Sequence, residues 1–317
     1  MLRCGALVCV VALTGARLVA QAAAPAAPAG VQVVLPPPIG GVVVDVLRAS
    51  LPGAVVESAT FAQVLRAAEA GETHVVAGLT ELQIWQLRQP RGLVPLGDLG
   101  RDLPPGCRNA AGLFCLPWSL PYGVALPKQA QAHAASPASQ EPWTIERLAL
   151  DTHWQDRLGF CPPVVDAVPW LATMMSRLRR GERETAGFGV WTTLDARVGR
   201  YSESWSASLE GLTVGRLDAA VLPVALASAL PNSHAMTTLE DAPVARLGVA
   251  VVGDGDASPA AKAAIALAQR VVEVGVSAPF QQRTGLGPAL AGAADFDGAE
   301  AAAWLAQDRK STRLNSS

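Results

Sequence analysis

The residues of this chain with chemistry to offer are a few cysteines and histidines and a scatter of aromatic, hydroxyl and acidic side chains, and their spacing favours binding over catalysis. His74, His133, His153 and His234 each stand alone, none at metal-ligand distance from a cysteine. There is no G-x-S-x-G elbow, H-E-x-x-H helix, phosphate-binding loop or G-x-G-x-x-G turn. Gly253, Gly255 and Ser258 make a glycine-rich stretch, but Asp254 and Asp256 lie between them and would repel a phosphate. No catalytic residue, metal site or cofactor is therefore expected.

What remains can hold a small molecule by stacking and hydrogen bonding. Trp118 and Tyr122 offer rigid faces and a phenol, and Tyr201, Ser202 and Trp205 form a second such group. Asp166 either meets a cationic ligand or caps the helix after it. Thr60 and Thr80 either hydrogen-bond a ligand or cap the helices they precede. For Trp118 the competing reading is packing at a hinge. Trp85, Trp143, Trp154, Trp170 and Trp304 fall within helical apolar stripes and read as core.

These side chains need a scaffold, and the chain alternates strand-like and helix-like runs. Val31 to Leu35, Ala54 to Glu57 and His74 to Ala77 read as strands. Helices are expected over Gly41 to Ser50, Phe61 to Gly71 and Thr80 to Gln89. Three βα units in succession predict a doubly wound α/β sheet. Leu116 to Pro127 contains three prolines, which exclude a helix interior and favour an extended crossing segment. Gln129 to Gln140 reads as a surface insertion. A second α/β unit follows, with helices at Thr144 to Leu150, Ala167 to Arg180, Thr185 to Val198, Ser204 to Glu210 and Val224 to Leu230. Its strands are Leu158 to Phe160 and Ala219 to Leu222. Arg246 to Val252 is strongly β-like, and Ser258 with Pro259 opens a long alanine-rich helix to about Val274. Short helices at Ala278 to Thr284 and Glu300 to Gln307 complete the pattern. Ligand in such a fold lies beyond the carboxyl ends of the strands, so the stretches at 36–40, 58–60, 78–80 and 163–166 are expected to face the cleft.

The chain has 317 residues and a formal net charge of -2 with scattered basic residues, so no electrostatic footprint for nucleic acid or an anionic membrane is present. The N-terminus has Arg3, an apolar run and small residues at Ala20 and Ala22, a signal-peptide pattern with cleavage after residue 22. Residues 23–30 then form a flexible new N-terminus. Val8 before Cys9 and Arg3 before Cys4 do not suit a lipid anchor. The product is expected in the periplasm or secreted, where the short spacing of Cys107 and Cys115 makes a disulfide reasonable and leaves Cys161 as a buried thiol. Residues 309–317 break from the preceding composition and read as a non-native tail.

Several passages taken in order resemble the family 1 extracellular solute-binding proteins of ABC transporters. Pro117 to Gly123, followed by Val124, Ala125 and Leu126, is similar to that family's P-W-x-x-P-Y-G crossing. Pro142, Trp143, Thr144, Ile145 and Leu148, then His153, Trp154, Arg157 and Leu158, resemble its W-T-x-x-D-L and W-x-G-R-I passage, with Asp156 where glycine is common. Trp191 through Tyr201 to Ser204, then Leu212 to Val221, is similar to its helix, ligand-facing loop and L-x-x-G-x-x-D-A-A-V unit. Leu247 to Val252 with Ser258 to Ala268 resembles the return strand and helix, and Phe280, Gln281, Thr284, Gly285 and Pro288 resemble the ending. The segment layout places two extended crossings near Trp118 to Leu126 and near Ala245 to Val252, and the resemblance implies a two-lobed periplasmic-binding-protein fold of type II. Lobe 1 would hold 31–121 plus 248–308, and lobe 2 would hold 122–247. It also implies a monomer that binds a small-molecule ligand and delivers it to ABC transporter permease subunits. Ferric binders use an adjacent tyrosine pair, whereas Tyr122 and Tyr201 are far apart here, which argues against iron. A sensor of the same fold and an exported α/β enzyme are the competing readings.

Overall fold

The computed structural model describes residues 30–87, 92–109, 111–130, 142–162, 166, 169, 184–198, 201–240, 244–253 and 258–290. The signal peptide, the insertion beyond residue 130, the expected helices Ala167 to Arg180 and Glu300 to Gln307, and the tail lie outside them.

Two mixed sheets share one long strand. In the first, β1 (Gly30–Val33) pairs in parallel with β2 (Val55–Ser58) and with β3 (His74–Thr80). The crossovers are α1 (Ile39–Ser50) and α2 (Phe61–Glu69), and α3 (Glu81–Leu87) follows β3 directly. Antiparallel to β3 runs β8 (Val244–Val252), and antiparallel to that runs β4 (Phe114–Pro127). The order is thus β2-β1-β3-β8-β4. β3 is buried on both faces because its alternate residues feed two separate cores. Val75 and Ala77 join the one beneath α1, while Val76 and Leu79 pack with Val64 and Ala68 of α2 and Ile84 of α3.

Between Pro121 and Tyr122 the strand β4 changes sheets. Phe114 to Pro121 pair with β8, whereas Tyr122 to Ala125 pair with β6 (Ala219–Pro223) and Gly123 to Pro127 with β7 (His234–Thr238). β5 (Leu158–Gly159) adds in parallel to β6. Around this second sheet stand α4 (Ile145–Leu150), α5 (Glu184–Asp195) and α6 (Trp205–Thr213). Trp143 and Trp154 are buried there edge to face, as their apolar stripes predict.

The return to the first sheet departs from expectation. A crossing was expected near Ala245 to Val252, but β8 pairs within the first sheet from Val244 onward, so the chain changes sheets between β7 and β8. Val224 to Leu230 is a 3-10 helix over Val224–Ala229 and not an α-helix, and β7 and the short β9 (Gly287–Pro288) were not foreseen. His-Ala-Met-Thr-Thr carries no clean alternation and stays half-buried at the sheet edge, which is why its strand is hard to read. Ser258 caps α7 (Pro259–Gly275) as its type and place require, its hydroxyl accepting from Ala261 N at 2.9 Å. α8 (Ala278–Thr284) closes the first lobe behind Trp118.

Candidate functional site

Three of the expected ligand-binding residues meet at the point where β4 enters the second sheet. Tyr122 is the first residue of β4 to pair there, Trp205 opens α6, and Asp166 follows β5. The Tyr122 hydroxyl donates to Asp166 Oδ2 at 2.8 Å, and the Trp205 indole Nε1–H donates to the same oxygen at 2.9 Å. The two rings stand edge to face with centroids 6.5 Å apart. All three are buried, Asp166 to 8 % exposure. Burial, then the charge of Asp166 and its hydrogen bond, hold the Tyr122 phenol well above its ordinary pKa, so it is a donor and not a phenolate. Behind it burial lifts the Cys161 thiol to about 12, Asp166 adding to the rise and the Ser208 hydroxyl opposing it.

The α6 start is fixed by the local sequence. Ser204 is extended and its hydroxyl accepts from Ala207 N at 3.1 Å, an N-cap that leaves Trp205 and Ser206 in the first turn. Ser206 Oγ stands 3.5 Å from the carbonyl oxygen of Pro37, a contact from the second lobe to the turn that opens α1 in the first. That turn is tight: Gly40 N donates to Pro36 O, and a Cβ at Gly40 would stand 2.1 Å from the Leu35 carbonyl oxygen.

Not all expected site residues gather here. Tyr201 is half-buried and its hydroxyl donates to Asp195; burial and that bond raise its phenol. Ser202 is buried and donates its backbone N–H to Phe160 O. Thr60 and Thr80 are helix caps, each in a reciprocal pairing with the glutamine three residues on, Gln63 and Gln83. Trp118 is fully buried on the first-lobe side, stacked on Phe280 at 5.3 Å, so the packing reading holds for it.

The pairing expected of Cys107 and Cys115 is not made: both are free thiols. Arg108 bridges Cys115 and the Cys107 carbonyl accepts from Leu116 N, so the alternation of the extended backbone turns the two side chains to opposite faces. Cys115 joins the core beneath α1, and Cys107 joins the core beneath α2 and α3, donating its thiol to Leu290 O at 3.0 Å.

One ion pair beside the shared strand escaped the sequence reading. Arg246 Nε donates to Glu81 Oε2 at 3.1 Å, with a second bond to the other carboxylate oxygen and a third from Nη1 to Gly106 O. Burial alone would weaken the Arg246 charge, but the bond to Glu81 and its charge prevail and raise its pKa. A lone arginine in the apolar run Val244 to Val252 was the available signal. Arg246 pairs with Ser119 across the sheet, just ahead of the sheet change.

The described architecture aligns with solved structures over most of its length. Iron-bound HitA from Pseudomonas aeruginosa superposes with a TM-score of 0.61 over 86% of this chain and 91% of its own, at 15% identity. The chain has the two-lobed periplasmic binding protein fold. Two further solved structures agree. The Trichodesmium IdiA (FutA) protein in complex with iron and citrate gives 0.59 at 14% identity, covering 83% of this chain and 87% of that one. AfuA from Actinobacillus pleuropneumoniae, with fructose-6-phosphate bound, gives 0.61 at 11% identity, covering 82% and 84%. No protein-family model matches the sequence, and no curated protein is detectably similar to it.

Proposed function

We propose that this protein is an exported binding protein that holds a small solute between its two lobes and delivers it to the permease of an ABC transporter. The observation that carries the reading is the joint: two α/β lobes share the continuous strand β4 and touch again at Ser206 and Pro37, so a rotation about the joint opens or closes the space between them. We assign residues 31–121 and 244–308 to lobe 1, and 122–240 to lobe 2. Export with cleavage after residue 22 and action as a monomer belong to the same reading.

HitA and the Trichodesmium protein hold iron, and AfuA holds a sugar phosphate. Iron suits this chain poorly. Its tyrosines are Tyr122 and Tyr201, both hydroxyls donate to carboxylates, and both phenols are raised, so a metal-binding phenolate is costly at either. The ligand contacts of lobe 2 are proposed to come from Tyr201 and Ser202, supported by the buried Tyr122, Asp166 and Trp205 group. Lobe 1 would contribute Thr60 and Thr80, with Trp118 supporting the joint from within. Native mass spectrometry of freshly purified protein tests the reading. One retained solute, released unchanged on unfolding, is expected; a solute released as a reaction product would favour the enzyme alternative.

A further inference from the structure

We propose that Asp166 is a positioning residue: its carboxylate ties the strand joining the lobes to the first turn of α6, and through α6 it sets the seam where lobe 2 meets lobe 1. Three observations converge on it. Tyr122, which donates to Asp166 Oδ2, is the residue at which β4 leaves the first sheet, one step after Pro121. Trp205, which donates to the same oxygen, is the first residue of α6. Ser206, its neighbour, is the residue whose hydroxyl reaches Pro37 of the other lobe. Joint, carboxylate, helix start and seam are therefore linked through consecutive contacts.

The chemistry suits a positioning role better than a ligand contact. A carboxylate that accepts from a phenol and an indole at 2.8 and 2.9 Å has its charge satisfied within the protein. Asp166 is nearly buried, so each bond acts in a low-dielectric setting where its geometry is strongly enforced. Two rigid donors from different elements fix the carboxylate in place, and it in turn fixes the angle between β4 and α6. On the lobe 1 side Ser119 of β4 is paired in register with Arg246 of β8, which Glu81 of α3 holds in turn. Leu120 and Pro121, paired with Ala245 and Val244, are the last residues of the first-sheet run before Tyr122. The purpose of the device rests on the two-lobe binding reading; its structural consequence does not.

Hydrogen exchange of the ligand-free protein tests it, comparing Trp205→Phe, Asp166→Asn, Tyr122→Phe and Ser206→Ala with the parent chain. Asp166→Asn keeps the side-chain shape and removes the charge, whereas Trp205→Phe removes the donor together with part of the buried indole. If Asp166 sets the seam, the amides of Ile39 to Val42 in lobe 1 exchange about tenfold faster in Trp205→Phe and Asp166→Asn. The same segment loosens in Ser206→Ala, while the lobe 1 interior at Val75 to Ala77 is unchanged. A role confined to packing within lobe 2 leaves residues 39–42 as protected as before, and that result overturns the proposal. So does loss of the folded state in Trp205→Phe and Tyr122→Phe alike, which would make the group a stability core. Failure to find a solute by native mass spectrometry defeats the binding reading and leaves the exchange result standing.

Discussion

Trp118 lies directly beneath Gly275, the last residue of α7: a Cβ added to the glycine would stand 2.1 Å from the indole Nε1 and 2.5 Å from Cε2. The indole cannot retreat, since its other face is stacked on Phe280 and it is fully buried. Gly275→Ala is therefore expected to destabilise by about 1–3 kcal/mol through overpacking, despite the better helix propensity of alanine. Urea unfolding checks this; an unchanged midpoint contradicts the packing.

Asp156 has φ 62°, in the left-handed region that favours glycine, and it sits where the resembled passage commonly has glycine. Its backbone N–H donates to Arg197 O, so the conformation is held by tertiary structure. Asp156→Gly relieves the strain at some cost in unfolded-chain entropy, for a net gain of about 0.5–1 kcal/mol. Thermal unfolding should show a higher Tm, and a lower one would mean the aspartate side chain contributes more than its backbone costs.

Removing the Tyr122 hydroxyl withdraws one donor from a buried carboxylate. Tyr122→Phe is expected to lower stability by about 1–3 kcal/mol even without ligand. An unchanged Tm would place the hydroxyl in contact with solvent or solute and not with Asp166.

The thiols give a test with a definite sign in pH. Burial raises Cys115 and Cys161 from an ordinary 9.0 to about 12, so both are neutral in the folded protein when an unfolded thiol would already ionise. Folded values above unfolded ones mean the contribution is fully present below pH 9 and is lost as pH rises toward 12. The slope is up to about 1.4 kcal/mol per pH unit for each thiol. Denaturant midpoints between pH 8 and 11 check this. Alkylation of the native protein at pH 8 should be slow at Cys107, Cys115 and Cys161, and complete at all three after unfolding without reductant. Protection of the first two after unfolding would restore the disulfide.

The elements with their own local signal were legible in the sequence. Ser258-Pro259, Thr60 with Gln63, and the 3, 4 and 7 spacing of α2 each declare themselves, and each stands within a residue or two of its expected place. The proline-rich segment was legible as an extended crossing because three prolines forbid a helix. What could not be read is what depends on partners distant in sequence. That Asp166 is spoken for by Tyr122 and Trp205 follows from contacts across 44 and 39 residues. The facing of Cys107 away from Cys115 is set by strand register, which spacing alone does not reveal. Arg246 and Glu81 are separated by 165 residues and meet only because β8 returns beside β3.

Small-angle scattering of the protein with and without the solute found by native mass spectrometry tests the central claim most directly. A binding protein that closes about the β4 joint gives a smaller radius of gyration with solute bound, returns to the open value when the solute is removed, and releases the solute unchanged. Tight solute binding with no change in radius, or recovery of the solute as a different compound, would contradict the account.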